Sequence, residues 1–525
     1  MASRSSHSPL FPKEEGSRQA AIAGSDVQNP LHVLFFPYIA PGHLIPAADM
    51  AALFAERGVK CTILTTPVNA AVIRSAVDRA NEAFRGAGAG APAIDIAVVP
   101  FPDVGLPPGV ESVAGVSSLA EIVKLMEAIG RFREPFDRFL AECRPDAVVA
   151  DSFFPWSAAA AAEHGVPRLA FLGSSMFARA CNDSLLRNNP FGSSSGADAA
   201  AVALPGLPHR VELRRSQVMD PASNQLEWDF NQLVNAADGR SYGEVFNSFA
   251  ELEPDYLEHY RATLGRRVWL VGPVAHASRD TAARGGAAGV SPDADRCLRW
   301  LDGKPRGTVI YVSFGTLTHF SAAELRELAR GLQLSGKNFL WLVSGDDADA
   351  DADADADAAS SPWMPEGFAE LIALGERGLI FRGWAPQVLI LNHSAVGGFV
   401  THCGWNSVLE AISAGVPMVT WPRHADQFYN EKLIMEVLRI GVGVGAADYV
   451  SKWEERRQVI SGEIIAEAIG RLMDDNDKAE AMRTKAKELS GKARRASEKG
   501  GSSYEDVGRL IDELIAHRSS TSVNV

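Results

Sequence analysis

Short apolar runs alternate with helical patterns along almost the whole chain, and this alternation constrains the fold more than any other feature. Leu31–Pro37 leads through a turn at Pro41-Gly42 into a helical pattern over Ile45–Phe54. Val59–Thr65, Ile94–Val99, Asp146–Ala150 and Arg168–Leu172 are further β-rich runs, separated by Ala-rich helical segments, and Gly243–Phe249 and Arg267–Val271 close the first half. Strands that are apolar throughout, rather than alternating with polar residues, are buried on both faces, so the pattern predicts parallel sheets covered by helices. Residues 273–295 are rich in Gly, Ala, Pro and Asp without periodicity and read as a linker. The alternation then resumes with Thr308–Phe314, a helix over Ala322–Gln333, Asn338–Val343, Gly378–Phe381, Val396–Thr401, Met418–Trp421 and Val442–Val444, ending in a largely helical tail. The expected fold class is α/β: two doubly wound domains, 31–272 and 296–500, facing a central cleft. A leader over 1–30 precedes them, and a C-terminal helix and tail over 501–525 is expected to pack back on the first domain. Such sheets bind ligands beyond the carboxyl ends of their strands.

Composition narrows the class of partner. Asp346, Asp347, Asp349, Asp351, Asp353, Asp355 and Asp357 alternate with Ala in one tract and account for half of the net charge of −14. Carboxylates so close together repel one another and have no apolar face to bury, so 346–360 is expected to be a solvated acidic loop. The tract lacks the glycine and the terminal glutamate of a calcium loop. A net negative chain is poorly suited to nucleic acid. The five cysteines, Cys61, Cys143, Cys181, Cys297 and Cys403, are scattered, odd in number and form no CxxC, which points to reduced thiols in a cytoplasmic setting. The leader has no apolar core of signal-peptide length, and no apolar run is long enough to span a membrane.

The densest information lies between Trp384 and Gln427. Thr401-His402-Cys403-Gly404-Trp405-Asn406-Ser407 follows an apolar strand and opens a helix, which stops at Ala414-Gly415 before Pro417. Unpaired N–H groups at a helix start favour an anion, and His402, Asn406 and Ser407 add side-chain donors. Ser407 and Glu410 also have the spacing of a capping box, which would use them structurally.

This stretch resembles the signature box of plant family-1 UDP-dependent glycosyltransferases. The resemblance extends to HVLFFPYIAPGHLIP near the start, VVADSFFPW in the middle, VIYVSFGTLT after the linker and FYNEKL after the box. It is nearest to the branch acting on flavonoids, phenolics and terpenoids, and it implies the GT-B fold of two Rossmann-like domains. By that resemblance Trp384 stacks on uracil, with Ala385 beside it in the site. Gln387 contacts the nucleoside and Glu410 the ribose. His402, Asn406, Ser407 and Thr316 hold the diphosphate, while Trp405, Asp426 and Gln427 read the sugar. A terminal Gln goes with glucose, leaving UDP-galactose, UDP-xylose and UDP-glucuronate as alternative donors. No metal or other cofactor is implied, the UDP-sugar being a co-substrate, and a monomer is expected. Three features depart from the family's pattern: the long leader, the acidic insertion, and Arg423-His424, which is expected to alter donor preference modestly.

His43 and Asp151 form the expected catalytic pair. His43 stands just past the first strand and Asp151 at the end of another strand of the same sheet, so both fall on one rim. Histidine suits the base that inverting sugar transfer needs, and a carboxylate would fix its tautomer and stabilise the imidazolium. The alternatives are a loop histidine without a role and an aspartate capping a helix. A nucleotide-cofactor oxidoreductase would require GxGxxG after the first strand, where the chain instead has Pro41-Gly42-His43. Phe153, Phe154, Met176 and Phe177 are either acceptor lining or core.

Overall fold

The computed structural model describes residues 30–86, 92–191, 201–276, 292–343, 363–382, 385–449 and 458–523. The first 29 residues, the acidic tract and Trp384 lie outside the described residues. The strands in the first half are β1 (His32–Phe36), β2 (Lys60–Thr65), β3 (Ile94–Val98), β4 (Ala147–Asp151), β5 (Arg168–Phe171), β6 (Ala201–Ala203), β7 (Glu212–Arg214), β8 (Gly243–Phe246) and β9 (Val268–Leu270). Among the described residues seven of these form a parallel sheet in the order β3-β2-β1-β4-β5-β8-β9, and β6 and β7 pair as a separate antiparallel hairpin. The second half contributes β10 (Val309–Ser313), β11 (Asn338–Val343), β12 (Gly378–Arg382), β13 (Val396–Thr401), β14 (Met418–Thr420) and β15 (Gly441–Gly443). These form a parallel sheet in the order β12-β11-β10-β13-β14-β15.

Period-two alternation divides the first core between the two faces of its sheet. Val33, Phe35, Ile63 and Val149 pack on one face, while Leu34, Phe36, Leu64 and Val148 pack on the other, all buried. Each face is covered by helices, so the central strands β1 and β4 have almost no exposed side, while the edge strand β3 exposes Asp95 and Val98. The Ser502–Val523 helix seats Val507, Leu510, Ile511 and Leu514 in the first of these clusters, against the edge carrying β9.

Both sheets reverse strand order at one place. In the first, the chain runs outward through β1, β2 and β3 and then returns to place β4 beside β1; in the second, β13 returns beside β10. Connections leave in opposite directions at such a point and open a crevice at the carboxyl ends. The segments bearing His43 and Asp151 follow or end β1 and β4, and those bearing Thr316 and His402 follow β10 and β13.

Candidate active site

The helix carrying His43 begins earlier than the sequence pattern suggests. It runs from Pro41 to Ala55, so His43 lies in its first turn rather than after a separate Pro-Gly turn. Pro41 occupies the start of the helix, where its missing N–H costs nothing and its fixed φ favours the helix. Pairing of β1 with β4 sets Phe36 beside Ala150 and brings the two strand ends together. Asp151 Oδ2 lies 2.6 Å from His43 Nδ1, so the tautomer that satisfies the pair carries its proton on Nδ1 and leaves Nε2 with a lone pair. Asp151 Oδ1 accepts the Phe153 N–H at 3.0 Å, and Arg168 Nη2 donates to the Asp151 carbonyl at 3.3 Å. The Asp151 side chain is fully buried and that of His43 is 19% exposed, so the base has an opening and its partner does not. Burial pushes the His43 imidazole down, but the charge and hydrogen bond of Asp151 and the charge of Asp426 together lift it above its ordinary 6.5. The helix nearest Asp151 runs over Ser157–Glu163 with Trp156 at its N-cap, so Asp151 caps no helix.

Aromatic rings surround the base. The Tyr38 and Phe153 rings each stand 5.5 Å from His43, and Phe230 stands 6.0 Å from Phe153. Phe154, Met176 and Phe177 are 0% exposed and belong to the core. Of the four apolar residues weighed from sequence, Phe153 alone flanks the histidine.

Across the cleft, β13 ends at Thr401 and the next helix runs over Trp405–Ala414 with Gly404 at its N-cap. No side chain caps this helix. Ser407 therefore lies inside its first turn, and the capping box with Glu410 does not form. Instead Gln387 Nε2 donates to Ser407 Oγ at 3.0 Å and to Glu410 Oε2 at 2.8 Å, while the Tyr311 hydroxyl meets Gln387 Oε1 at 3.3 Å. Three of the residues expected to bind the donor thus form one network. Ala385 is buried beside it, its carbonyl accepting the Gln387 N–H at 2.8 Å. Thr316 is exposed on the loop after β10.

His402 occupies a slot that two glycines keep open. A Cβ at Gly404 would approach its Nε2 to 2.4 Å, and one at Gly315 would approach its Cε1 to 2.9 Å. His402 Nδ1 is buried with no hydrogen-bond partner among the described residues. Burial, reinforced by the charges of His424 and Arg423, pushes this imidazole down to about 3, so it is neutral at neutral pH and offers a donor without a charge.

Three other residues expected to touch the donor, Trp405, Asn406 and Asp426, make contacts between the two halves, while Gln427 bonds within its own. Trp405 Nε1 donates to the Asn247 carbonyl at 2.8 Å, and Asn406 Nδ2 donates to the Gly42 carbonyl at 2.7 Å, one residue from His43. Asp426 Oδ2 accepts from Ser174 Oγ at 2.9 Å and from Asn430 Nδ2 at 3.0 Å. Gln427 Oε1 accepts the N–H groups of Arg423 and His424 at 2.8 and 3.1 Å, which closes the loop it terminates. Arg423 is committed elsewhere: it bonds Glu324 at 2.7 Å and the His319 carbonyl at 2.5 Å, and lies 4.2 Å over the Phe320 ring. Its buried charge holds the 319–324 segment against the 421–427 loop. Tyr38, Ser174 and Asn430 were absent from the sequence-derived set. The position of Ser174 just after β5 was the available signal, since strand ends line the crevice.

Two parallel-sheet domains meeting at their switch points, with a histidine–aspartate pair on one rim and an uncapped helix start on the other, define a GT-B glycosyltransferase architecture. The family model for UDP-glucoronosyl and UDP-glucosyl transferases matches residues 216–480. Scopoletin glucosyltransferase from Nicotiana tabacum is 42% identical over 93% of this chain and 99% of its own length. Anthocyanin 3'-O-beta-glucosyltransferase from Gentiana triflora is 41% identical over 93% and 99%. Among solved structures, a Glycyrrhiza uralensis UGT complexed with glycyrrhetinic acid 3-O-monoglucuronide aligns with a TM-score of 0.84 at 36% identity, covering 94% of this chain and 98% of that one. The chain belongs to the UDP-glucoronosyl and UDP-glucosyl transferase family and is a UDP-glycosyltransferase.

Proposed function

We propose that the protein transfers glucose, with inversion, from UDP-glucose to a hydroxyl of a small lipophilic phenolic, flavonoid or terpenoid acceptor. The 2.6 Å bond between His43 and Asp151 carries this reading, because it supplies an oriented base with one free nitrogen. His43 Nε2 takes the acceptor proton as the acceptor oxygen forms its bond to the anomeric carbon. The bond from that carbon to the diphosphate breaks on the opposite face, and UDP leaves with the electron pair. Asp151 stabilises the imidazolium, and the aromatic rings of Tyr38, Phe153 and Phe230 suit a flat acceptor. His402 and the first-turn N–H groups of the Trp405–Ala414 helix meet the charge that develops on the diphosphate, with Thr316, Asn406 and Ser407 beside them. Trp384, Ala385, Gln387 and Glu410 hold the nucleoside, and Trp405, Asp426 and Gln427 the sugar. In this reading 31–272 binds acceptor, 296–500 binds donor, no metal takes part, and the enzyme works as a cytoplasmic monomer. The relatives support glucose, being named as glucosyltransferases. UDP-galactose, UDP-xylose and UDP-glucuronate are the competing donors.

The test is a mass-spectrometric screen of the purified protein with these four UDP-sugars against phenols, flavonoids and terpenoids. Glucosides are expected, and no product from any pair would overturn the proposal. His43→Ala is expected to lower turnover by at least about 100-fold while leaving UDP affinity unchanged. Wild-type turnover in that variant would remove His43 from the base role.

A further inference from the structure

Asp426 stands at the N-cap of the Gln427–Lys432 helix, yet its carboxylate makes no capping hydrogen bond. An aspartate in that position ordinarily accepts from a first-turn N–H. Here Oδ2 is taken by the Ser174 hydroxyl and the Asn430 amide. The preceding residue, Ala425, has a φ of 54°, a left-handed conformation that costs a non-glycine residue energy and re-aims the chain at this point.

Ser174 comes from the other half of the molecule, 252 positions away, on the loop after β5, and is 6% exposed. Its neighbours show that the contact is built. Ser175 accepts the Ala178 N–H at 3.0 Å as a normal helix cap while donating to Asn430 Oδ1 at 2.9 Å. Asn430 is 0% exposed and also donates to the Cys403 carbonyl at 2.9 Å, so the amide that shares Asp426 is itself fixed. On the other side, Gly173 lies so close to His43 that a Cβ there would stand 3.7 Å from the imidazole. Ser174 thus sits between the base and the carboxylate assigned to the sugar.

We propose that Ser174 is a positioning residue for the donor sugar: its hydroxyl holds the Asp426 carboxylate turned into the cleft, so that the acceptor half of the molecule sets donor-sugar preference. The inference rests on the reading of Asp426 as a sugar contact. A carboxylate has about four acceptor sites. Two protein donors on one oxygen leave capacity for sugar hydroxyls in a direction that they fix. Glucose and galactose differ in the direction of a single hydroxyl, and a carboxylate held in one orientation discriminates between them where a mobile one follows either.

The experiment measures kcat/KM for UDP-glucose and UDP-galactose, with the best acceptor from the screen, in the wild type, Ser174→Ala, Ser174→Thr and Asp426→Ala. The affinity of each for UDP is measured by calorimetry. Ser174→Ala is expected to reduce the ratio of the two donors by about tenfold, as loss of one hydrogen bond to a charged group would. UDP affinity should stay unchanged, because UDP lacks the transferred hexose that Asp426 is assigned to read. Ser174→Thr keeps the hydroxyl and should keep the ratio. If Asp426→Ala loses the preference but Ser174→Ala retains it, the inference is overturned alone. It is likewise overturned if Ser174→Ala weakens UDP as much as UDP-glucose, which would mark a packing contact. If Asp426→Ala itself keeps the preference, the underlying assignment of Asp426 to the sugar fails.

Discussion

His43 experiences opposing forces whose balance sets a measurable pH dependence. As a base it works only when neutral, so activity should rise with pH and level off above its pKa. That pKa lies above the ordinary 6.5, because Asp151 and Asp426 together outweigh the burial that lowers it. Asp151→Asn removes the larger raising influence, and burial then dominates, so the inflection of kcat/KM should move to lower pH. The plateau should also fall, by roughly 100-fold, because a neutral amide stabilises an imidazolium poorly and its N–H favours the tautomer that protonates Nε2. A pH–rate profile of both proteins checks the sign; an inflection unmoved or displaced upward would show that Asp151 does not govern this histidine. The pairing itself was legible because each residue lies where a strand ends, and strand ends can be read from apolar runs. For Ser174 the sequence offered only its place just after β5. Its partner was not legible, because serine is common in loops and nothing local links it to a carboxylate 252 positions on.

At the scale of elements, period and punctuation carried most of the fold. Apolar runs such as Asn338–Val343 and Val396–Thr401 coincide with strands because burial on both faces leaves no polar position to blur them. Helix starts were less legible. Pro41-Gly42 has turn composition, yet it opens a helix, since proline at the first position is compatible with either. Ser407 and Glu410 have capping-box spacing, but residues three apart also share a face inside a helix, and Gly404 is the cap. The three-residue strands β6 and β7 are too short to show a period at all. The Gly404 position also yields a test of the His402 slot. Its φ of −61° is open to any residue, so Gly404→Ala strains no backbone, and the three atoms nearest the new methyl all belong to the His402 imidazole. UDP affinity by calorimetry should fall about tenfold or more as the ring is displaced. The melting temperature should fall by only about 2–4 °C, the effect of a weaker cap. Unchanged affinity would mean that the diphosphate does not depend on His402.

The whole molecule is held as one by contacts whose individual partners no sequence pattern announced. Trp405, Asn406, Asp426 and Asn430 all bond the first half from the second, and Tyr449 does so through its N–H to the Ser216 carbonyl at 2.6 Å and its hydroxyl to Glu227 at 2.7 Å. The C-terminal helix adds a strap. It follows the Asp477–Ser497 helix, which packs on Trp405–Ala414, and then crosses to the first sheet. There Asp506 accepts the Leu270 N–H at 3.0 Å, the Arg57 guanidinium lies 3.8 Å over the Tyr504 ring, and Arg518 meets Asp146 at 3.2 Å. Between these polar contacts Leu510 is 0% exposed, packed with Leu31, Val33 and Val271. Truncating it to alanine should cost about 2–5 kcal/mol, the usual range for a buried leucine whose site cannot collapse. That loss is a large part of the roughly 5–15 kcal/mol that holds a domain folded, so the first half should unfold at a visibly lower temperature in a calorimetric scan. Leu510 is an apolar core residue that takes part in none of the hydrogen bonds of His43, the Gly404 helix start or Asp426, so kcat at 25 °C should stay within about twofold of wild type. A fall in kcat at 25 °C without a fall in melting temperature would reverse the assignment, making the strap part of the catalytic cycle instead of the scaffold that keeps the two rims opposed.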